Sequence, residues 1–457
     1  MAIVRRRLFA VRIALVVALG ASVSGLLAAP ASATNADLDP TFGNGGQVTT
    51  GFAGSAGAVD LARQGNRILV LGSVRPSAGG EDIAIARYQS NGHPDTAFGD
   101  GGKVVVGFPG GEIDARSLLA LPSGKFYVGG TFTANGFGHS TFALARFLRG
   151  GGLDTSFGDG GRVVADLGQG DFFLADLVRQ ANGKLVAGGN GSPAPGSLAT
   201  SFGLARFGAN GSVDRSYGND GHVVTQFHVG SGDQPFAYLH GLAVDTSNRV
   251  VAVGAASSDI CTFRWALARY LPNGSLDPSF GGDGRVVTKF QNHSEAWAVE
   301  FGDDNRLTVA GSNQFEGCGG SAPPATGNAA LARYLPTGAL DHTFGGDGKV
   351  TTTFLGSKDA DASYSAMTLE EGGQIAATGS AYDQSGHLNV IVGLYLRNGN
   401  PNTAFSGDGK ASAGGPGQDA LGLALYEDID GRPVVAGRSL PETGADRFLV
   451  ERFKASS

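Results

Sequence analysis

The sequence predicts an all-β fold, a seven-bladed β-propeller of four-stranded antiparallel blades, and three observations carry that expectation. A turn that opens with an aromatic residue and usually glycine recurs seven times, each interval between turns holds four short extended runs, and no long window outside the N-terminal segment has helical periodicity. Glycine supplies 76 of 457 residues, well above the usual share of about 7 per cent. Yet 41 % of the chain is hydrophobic and 27 residues are Phe, so it folds rather than serving as a linker. Two cysteines exclude a disulfide-dense scaffold.

The recurring aromatics are Phe42, Phe98, Phe157, Tyr217, Phe280, Phe344 and Phe405, at successive spacings of 56, 59, 60, 63, 64 and 61 residues. Five residues after each, a polar and mostly basic residue opens a strand: Gln47, Lys103, Arg162, His222, Arg285, Lys349 and Lys410. The third unit shows the four runs well, at residues 163–167, 173–178, 185–187 and 202–207. Between its second and third runs stands Asn182-Gly183-Lys184, a tight hairpin because Asn and Gly tolerate positive φ. Ser123-Gly124-Lys125 and Asp430-Gly431-Arg432 are equivalent turns. The fourth run, Phe142-Ala143-Leu144-Ala145-Arg146-Phe147, puts large residues on one face and Ala on the other, so that neighbouring sheets can pack large against small.

These elements recur in order from Leu38 to Phe453. Leu276-Asp277-Pro278-Ser279-Phe280-Gly281 as the turn, a Gly-Lys hairpin and the strand Ala266-Leu267-Ala268-Arg269-Tyr270 together resemble the delta-60 repeat. That resemblance implies a β-propeller and brings no catalytic residues.

An arginine in the fourth run is followed eight residues later by an aspartate: Arg87 and Asp95, Arg146 and Asp154, Arg206 and Asp214, Arg269 and Asp277, Arg333 and Asp341. Unit six replaces both, with Leu394 and Asn402. Joint loss is expected of a coupled pair, because a lone buried charge is costly while removal of both partners is nearly neutral. Arg452 has no aspartate after it and Asp39 no arginine before it, so the two are expected to meet where the N-terminal turn completes the last unit. Alternatively, each arginine caps backbone carbonyls while each aspartate makes an Asx turn.

Arg5, Arg6, Arg7 and Arg12 precede an apolar stretch that ends in Ala31-Ser32-Ala33, the pattern of a cleaved export signal spanning residues 1–33. Residues 34–457 are then a single propeller, secreted or otherwise outside the cytoplasm, with no membrane span after cleavage. The whole chain has 34 basic and 41 acidic residues, and losing the four arginines of the signal takes the net charge from −7 to −11. Such a charge disfavours nucleic acid as a partner.

Alternation of strand direction places the first and third connections of every unit on one face. Those connections vary in length and composition, so binding is expected there. Candidate binding residues are Phe227, His228, Tyr238, His240, Asn292, His293, Trp297, Phe315 and Tyr382; the alternative is that these aromatics anchor loops over the blades. Cys261 and Cys318 fall in the third connections of adjacent units, and an exported chain allows them a disulfide. No cofactor is expected. Calcium is the most credible ion, through Asp100, Asp159, Asp220, Asp283, Asp347 and Asp408 of the turns and Asp359 with Asp361, but one carboxylate per turn falls short of the roughly six oxygens it needs.

The functional expectation is a monomeric, non-catalytic scaffold that binds a protein or a glycan. The rivals are a carbohydrate-active hydrolase or lyase with acidic residues at the channel mouth, and a structural subunit of a surface assembly. A His-carboxylate or two-carboxylate group on the variable face would favour the enzyme.

Overall fold

The structure, a computed structural model, describes residues 37–76, 79–135, 139–167, 170–192, 200–229, 236–259, 262–290, 293–314, 327–355, 361–370, 372–414 and 418–455. The expected export segment lies outside these residues, as do Cys261, Cys318, Asn292, Phe315 and Asp359. The described chain forms seven four-stranded antiparallel sheets and no α-helix. No helix among the described residues is long and apolar enough to cross a membrane.

In blades 1 to 7 the innermost strands are Ser55–Gln64, Gly111–Ala120, Phe172–Arg179, Phe236–Val244, His293–Phe301, Ala362–Leu369 and Gln418–Glu427. Each contacts the next, and the last contacts the first, so the sheets close into a ring. The sequence unit and the blade are out of step. In unit three, Arg162–Val164 is the outer strand of blade 2, whereas Phe172–Arg179, Leu185–Gly191 and Ser201–Phe207 are the inner three strands of blade 3. The first run is therefore shorter than expected and the third longer.

This offset makes the closure. Blade 7 consists of Gln418–Glu427, Pro433–Pro441 and Arg447–Arg452, with Gln47–Thr50 from the other end of the chain as its outer strand. Gln47 pairs with Glu451 and Thr50 with Phe448. The clasp is thus a whole strand as well as a turn.

Between successive blades lies an apolar core, and large-against-small packing fills it. Phe202 and Leu204 of blade 3 share a core with Ala266 and Ala268 of blade 4, Trp265 and Leu267 of blade 4 with Ala330 and Ala332 of blade 5, and Phe448 and Val450 of blade 7 with Ala84 and Ala86 of blade 1. Each large side chain so enclosed contributes roughly 1.5–3 kcal/mol. Tyrosines at the end of the same strands latch onto the outer strand of the previous blade, as Tyr270 does with Thr225 (2.9 Å) and Tyr334 with Thr288 (2.8 Å).

Every innermost strand carries a β-bulge at the same place, at Val59, Arg116, Ala175, His240, Trp297, Ser365 and Leu423. A bulge takes backbone N–H groups out of the ladder, and buried donors need acceptors. The preceding blade supplies them: Ala115 N donates to Ser73 Oγ, Leu174 N to Thr131 Oγ1, Leu239 N to Asn190 Oδ1 and Gly422 N to Ser380 Oγ. Leu118 N donates to Asp60, Leu177 N to Ser117 and Leu242 N to Asp176 on the far side of three of these bulges. Burial raises the Asp60 carboxyl to about 8 and also raises that of Asp176.

One core position breaks its own pattern. Ala86, Ala145, Ala205, Ala268 and Ala332 precede the strand arginines, but blade 7 has Glu451, 2 % exposed, with Oε2 lacking a hydrogen-bond partner. Burial raises its carboxyl to about 8. Below the unfolded value near 4.3 the group is protonated in both states and is best tolerated in the core; as pH rises from there to about 8 the folded state alone must keep the proton, and stability falls. Glu451→Ala is therefore expected to raise the melting temperature, by a margin that grows between pH 5 and 9 in scanning calorimetry. Parallel curves for the two proteins would refute the assignment.

Candidate functional site

Two constellations stand out, one on each face of the ring. On the face of the short turns, Asp Oδ2 meets strand-arginine Nε at 2.9 Å for Asp95 and Arg87, 2.8 Å for Asp154 and Arg146, 2.8 Å for Asp214 and Arg206, 2.8 Å for Asp277 and Arg269, and 2.7 Å for Asp341 and Arg333. Across the closure, Arg452 Nη2 lies 2.9 Å from Asp39 Oδ2. Both readings of these residues hold at once. Asp277 Oδ1 also accepts from Ser279 N in an Asx turn (3.0 Å), and Arg269 Nη1 also donates to the Pro336 carbonyl of the next blade (2.6 Å). Each guanidinium lies over the turn aromatic, Arg269 at 4.7 Å from the Phe280 centroid and Arg452 at 4.8 Å from Phe42.

A third member belongs to each group. The basic residue that closes the hairpin reaches the same carboxylate: Arg67 to Asp95 (3.0 Å), Lys125 to Asp154 (2.8 Å), Lys184 to Asp214 (2.6 Å), Arg306 to Asp341 (3.1 Å) and Arg432 to Asp39 (3.2 Å). Arg249 stands 3.7 Å from Asp277. Sequence reasoning treated this residue only as part of a turn. The signal was available, because unit six changes it as well: Gln374, Leu394 and Asn402 replace all three charges, and Asn402 Nδ2 donates to Gln374 Oε1.

The location of the neutral set has a structural reason. Each strand arginine donates to the carbonyl two residues past the aromatic near the end of the next blade's third strand, as Arg146 does to Ala209 after Phe207 and Arg452 to Ser90 after Tyr88. For blade 6 that residue would be Ala455, where the chain leaves blade 7 instead of turning into its outer strand. Ser406 Oγ there bonds Asp37 Oδ1 of the N-terminal segment at 2.8 Å. Elsewhere the triad is a ring fastener. Burial pushes the Asp277 carboxyl up, but hydrogen bonds from Ser279 and the Arg269 charge outweigh it and hold the group below its ordinary value.

The second constellation lies on the face of the variable connections, at the junction of blades 4 and 5. His293, Glu295 and Trp297 alternate along one inner strand and His240 lies on the neighbouring one. Glu295 Oε1 is 3.1 Å from His293 Nε2, and Glu295 Oε2 is 3.3 Å from His240 Nε2, an ion-pair contact without hydrogen-bond alignment. The His240 ring stacks on Trp297 with centroids 3.9 Å apart and planes at 18°. Phe263 packs edge-on against His293 at 5.4 Å and lies 5.6 Å from Tyr238. Trp297 remains 37 % exposed beyond this stack. Burial raises the Glu295 carboxyl, but the two histidines outweigh it and hold the group well below the usual carboxylate range.

Four of the candidate residues, Tyr238, His240, His293 and Trp297, are therefore brought together, though on inner strands rather than on loops. Phe227 is not a ligand contact: it is 1 % exposed and packs on Phe202 in the core of blades 3 and 4. His228 is exposed on the connection after blade 3, and Tyr382 ends the second strand of blade 6. Glu295 and Phe263 were missed. Glu295 was legible from the period-two spacing His293, Glu295, Trp297, whereas its contact with His240 depends on the adjacent blade.

The other His-carboxylate contacts on this face look different. His139 to Asp171 and His387 to Asp419 are each 3.5 Å, and those carboxylates cap Ser140 N and Leu388 N of the preceding blade. Among the described residues, no group of three His, Cys, Asp or Glu side chains could hold a metal ion. Of the turn aspartates, Asp283, Asp347 and Asp408 accept from the amides of Arg285, Lys349 and Lys410.

Four segments, residues 66–98, 121–157, 180–217 and 247–280, match the family model described as "Domain of unknown function (DUF5122) beta-propeller". The chain therefore carries β-propeller repeats of that broad kind, and each matched segment contains one complete charge triad with its aromatic. No curated protein matches the chain. Among solved structures, it is similar to a protein of unknown function from Dyadobacter fermentans (11 % identity, TM-score 0.40, covering 77 % of this chain and 97 % of that one). It is also similar to the β-propeller domain of the trilobed protease from Pyrococcus furiosus (12 %, 0.44, 89 % and 97 %) and to an ulvan lyase of polysaccharide lyase family PL25 (8 %, 0.47, 90 % and 96 %). At such identities and TM-scores these likenesses carry no functional argument.

The triad makes a test of coupling. Asp277→Ala leaves Arg269 buried without its carboxylate and is expected to cost about 3 kcal/mol. Installing the blade 6 set instead, Arg249→Gln with Arg269→Leu and Asp277→Asn, should cost less than that single change. Calorimetry showing the triple variant to be the less stable of the two would mean that the three residues act independently.

Proposed function

We propose that this chain is an exported, non-catalytic binding propeller that holds a glycan on the face of the variable connections, at the junction of blades 4 and 5. The observation that carries the reading is Trp297, partly exposed and stacked on His240, which in turn contacts the carboxylate of Glu295. An indole face suits the C–H face of a sugar ring, and a carboxylate and imidazoles can bond its hydroxyls. A protein partner would favour a broad apolar patch, whereas here one exposed aromatic, Trp297, stands beside charged groups. Export follows from the N-terminal signal pattern.

The hydrolase or lyase reading draws on the same residues, since Glu295 and two histidines form a His-carboxylate group. Catalysis by proton transfer works best when the pKa lies near the working pH. The two histidines hold Glu295 below its ordinary range, which disfavours it as the general acid.

Residues 34–457 should retain one class of oligosaccharide on a glycan array, without releasing a cleavage product, and Trp297→Ala should weaken that binding by at least about tenfold. Product formation that Glu295→Gln abolishes would establish the enzyme instead. Unchanged binding by Trp297→Ala would remove the proposed site.

A further inference from the structure

The position that caps the next blade's bulge has two occupants that cannot do so, Ala255 in blade 4, which has no polar side-chain atom, and Arg438 in blade 7, the one charged residue there. Ser73, Thr131, Asn190 and Ser380 accept a backbone N–H there, but in blade 7 the same register position is Arg438, which has only donors. Unlike those of the strand arginines, the side chain of Arg438 makes no hydrogen bond or ion pair among the described residues, and its Nε is shut off from solvent without an acceptor. A second exception accompanies it. Where the other inner strands carry Asp114, Phe173, Tyr238, Glu295, Ser363 and Leu421, blade 1 has Gly57. A Cβ at Gly57 would collide with the Arg438 guanidinium. The side chain of blade 7 thus fills the place that blade 1 leaves empty, at the level of Glu295 in the ring.

The nearby charges do not satisfy it. Asp114 is held by Arg116 (2.5 Å) and Glu81 by Arg75 (2.9 Å). Burial and then Arg116 push the Arg438 pKa down, against the pull of Asp114, Asp446 and Glu81. A guanidinium with a buried Nε and no acceptor is costly unless an anion reaches it. A planar guanidinium fork matches the oxygens of a carboxylate or a sulfate ester. A residue that breaks the repeat pattern with no structural return is where function is expected.

We infer that Arg438, in the space opened by Gly57, is an oxyanion subsite, so that the glycan bound on this face is acidic. This rests on the proposed glycan reading, with the anion held near the seam of blades 7 and 1 and the sugar ring at Trp297 across the mouth.

Isothermal titration of residues 34–457 with trigalacturonate, its neutral methyl ester and sulfated galactotriose tests it. At least one acidic probe should bind about tenfold or more tightly than the ester. Arg438→Ser, which restores the residue of blades 1 and 6, should erase that preference and leave binding of the ester in place. Gly57→Ala should do the same by displacing the guanidinium. Trp297→Ala should weaken all probes alike. Equal affinity for acidic and neutral probes, or a preference that survives both Arg438→Ser and Gly57→Ala, overturns the subsite while leaving the Trp297 reading intact. Failure of every probe to bind overturns the acidic-glycan inference, and the glycan array separately decides whether the broader reading stands.

Discussion

No blade of this protein can bury both of its faces alone, and that constraint governs the rest. A four-stranded sheet with Phe and Leu on one side and Ala on the other is stable only when a neighbour covers each side. Seven such sheets satisfy one another only if the last meets the first. The ring is therefore a cooperative object, and its weakest point is the seam at which no peptide bond joins the outer strand of blade 7 to the strand beside it. Gln47–Thr50 closes that seam with ladder hydrogen bonds, and the Asp39, Arg432 and Arg452 triad sits at its edge.

The triads show how one electrostatic device adapts to its place. An aspartate beside two cations, an aromatic ring and a carbonyl of the next blade fixes the turn of one blade on the turn of its neighbour. Where the neighbour's turn is split between the two ends of the chain, all three charges are gone and a neutral Asn402 and Gln374 contact takes over. The bulges work likewise on the inner strands. Their freed amides are bonded by Ser, Thr, Asn or Asp from the blade before, which ties neighbours together close to the axis.

The proposed sites lie where the repeat departs from itself. Ala precedes most strand arginines but Glu451 precedes Arg452; small acceptors face most bulges but Arg438 faces blade 1; most bulges hold residues without aromatic rings, but those of blades 4 and 5 hold His240 and Trp297. The triads are a fastening shared by six units. The Trp297 and Arg438 groups are single occurrences, and a fold built of equivalent wedges has no need of them.

The architecture could be read from residue order alone because it rests on local chemistry. Period-two alternation set the strands, Gly with Asn or Asp set the hairpins, and the constant eight-residue interval from Arg269 to Asp277 and its counterparts set the charge pairs, all within one repeat. Even the hairpin cation was legible, through its loss in unit six. The site was not, because its parts are contributed by different blades. His240 and Glu295 are 55 residues apart and Gly57 and Arg438 lie near opposite ends of the chain. Tertiary structure alone decided which of the scattered histidines and aromatics meet, that Phe227 belongs to the core, and that blade and repeat are offset by one strand. Sequence records what each strand can bury, while closure of the ring determines which strands become neighbours.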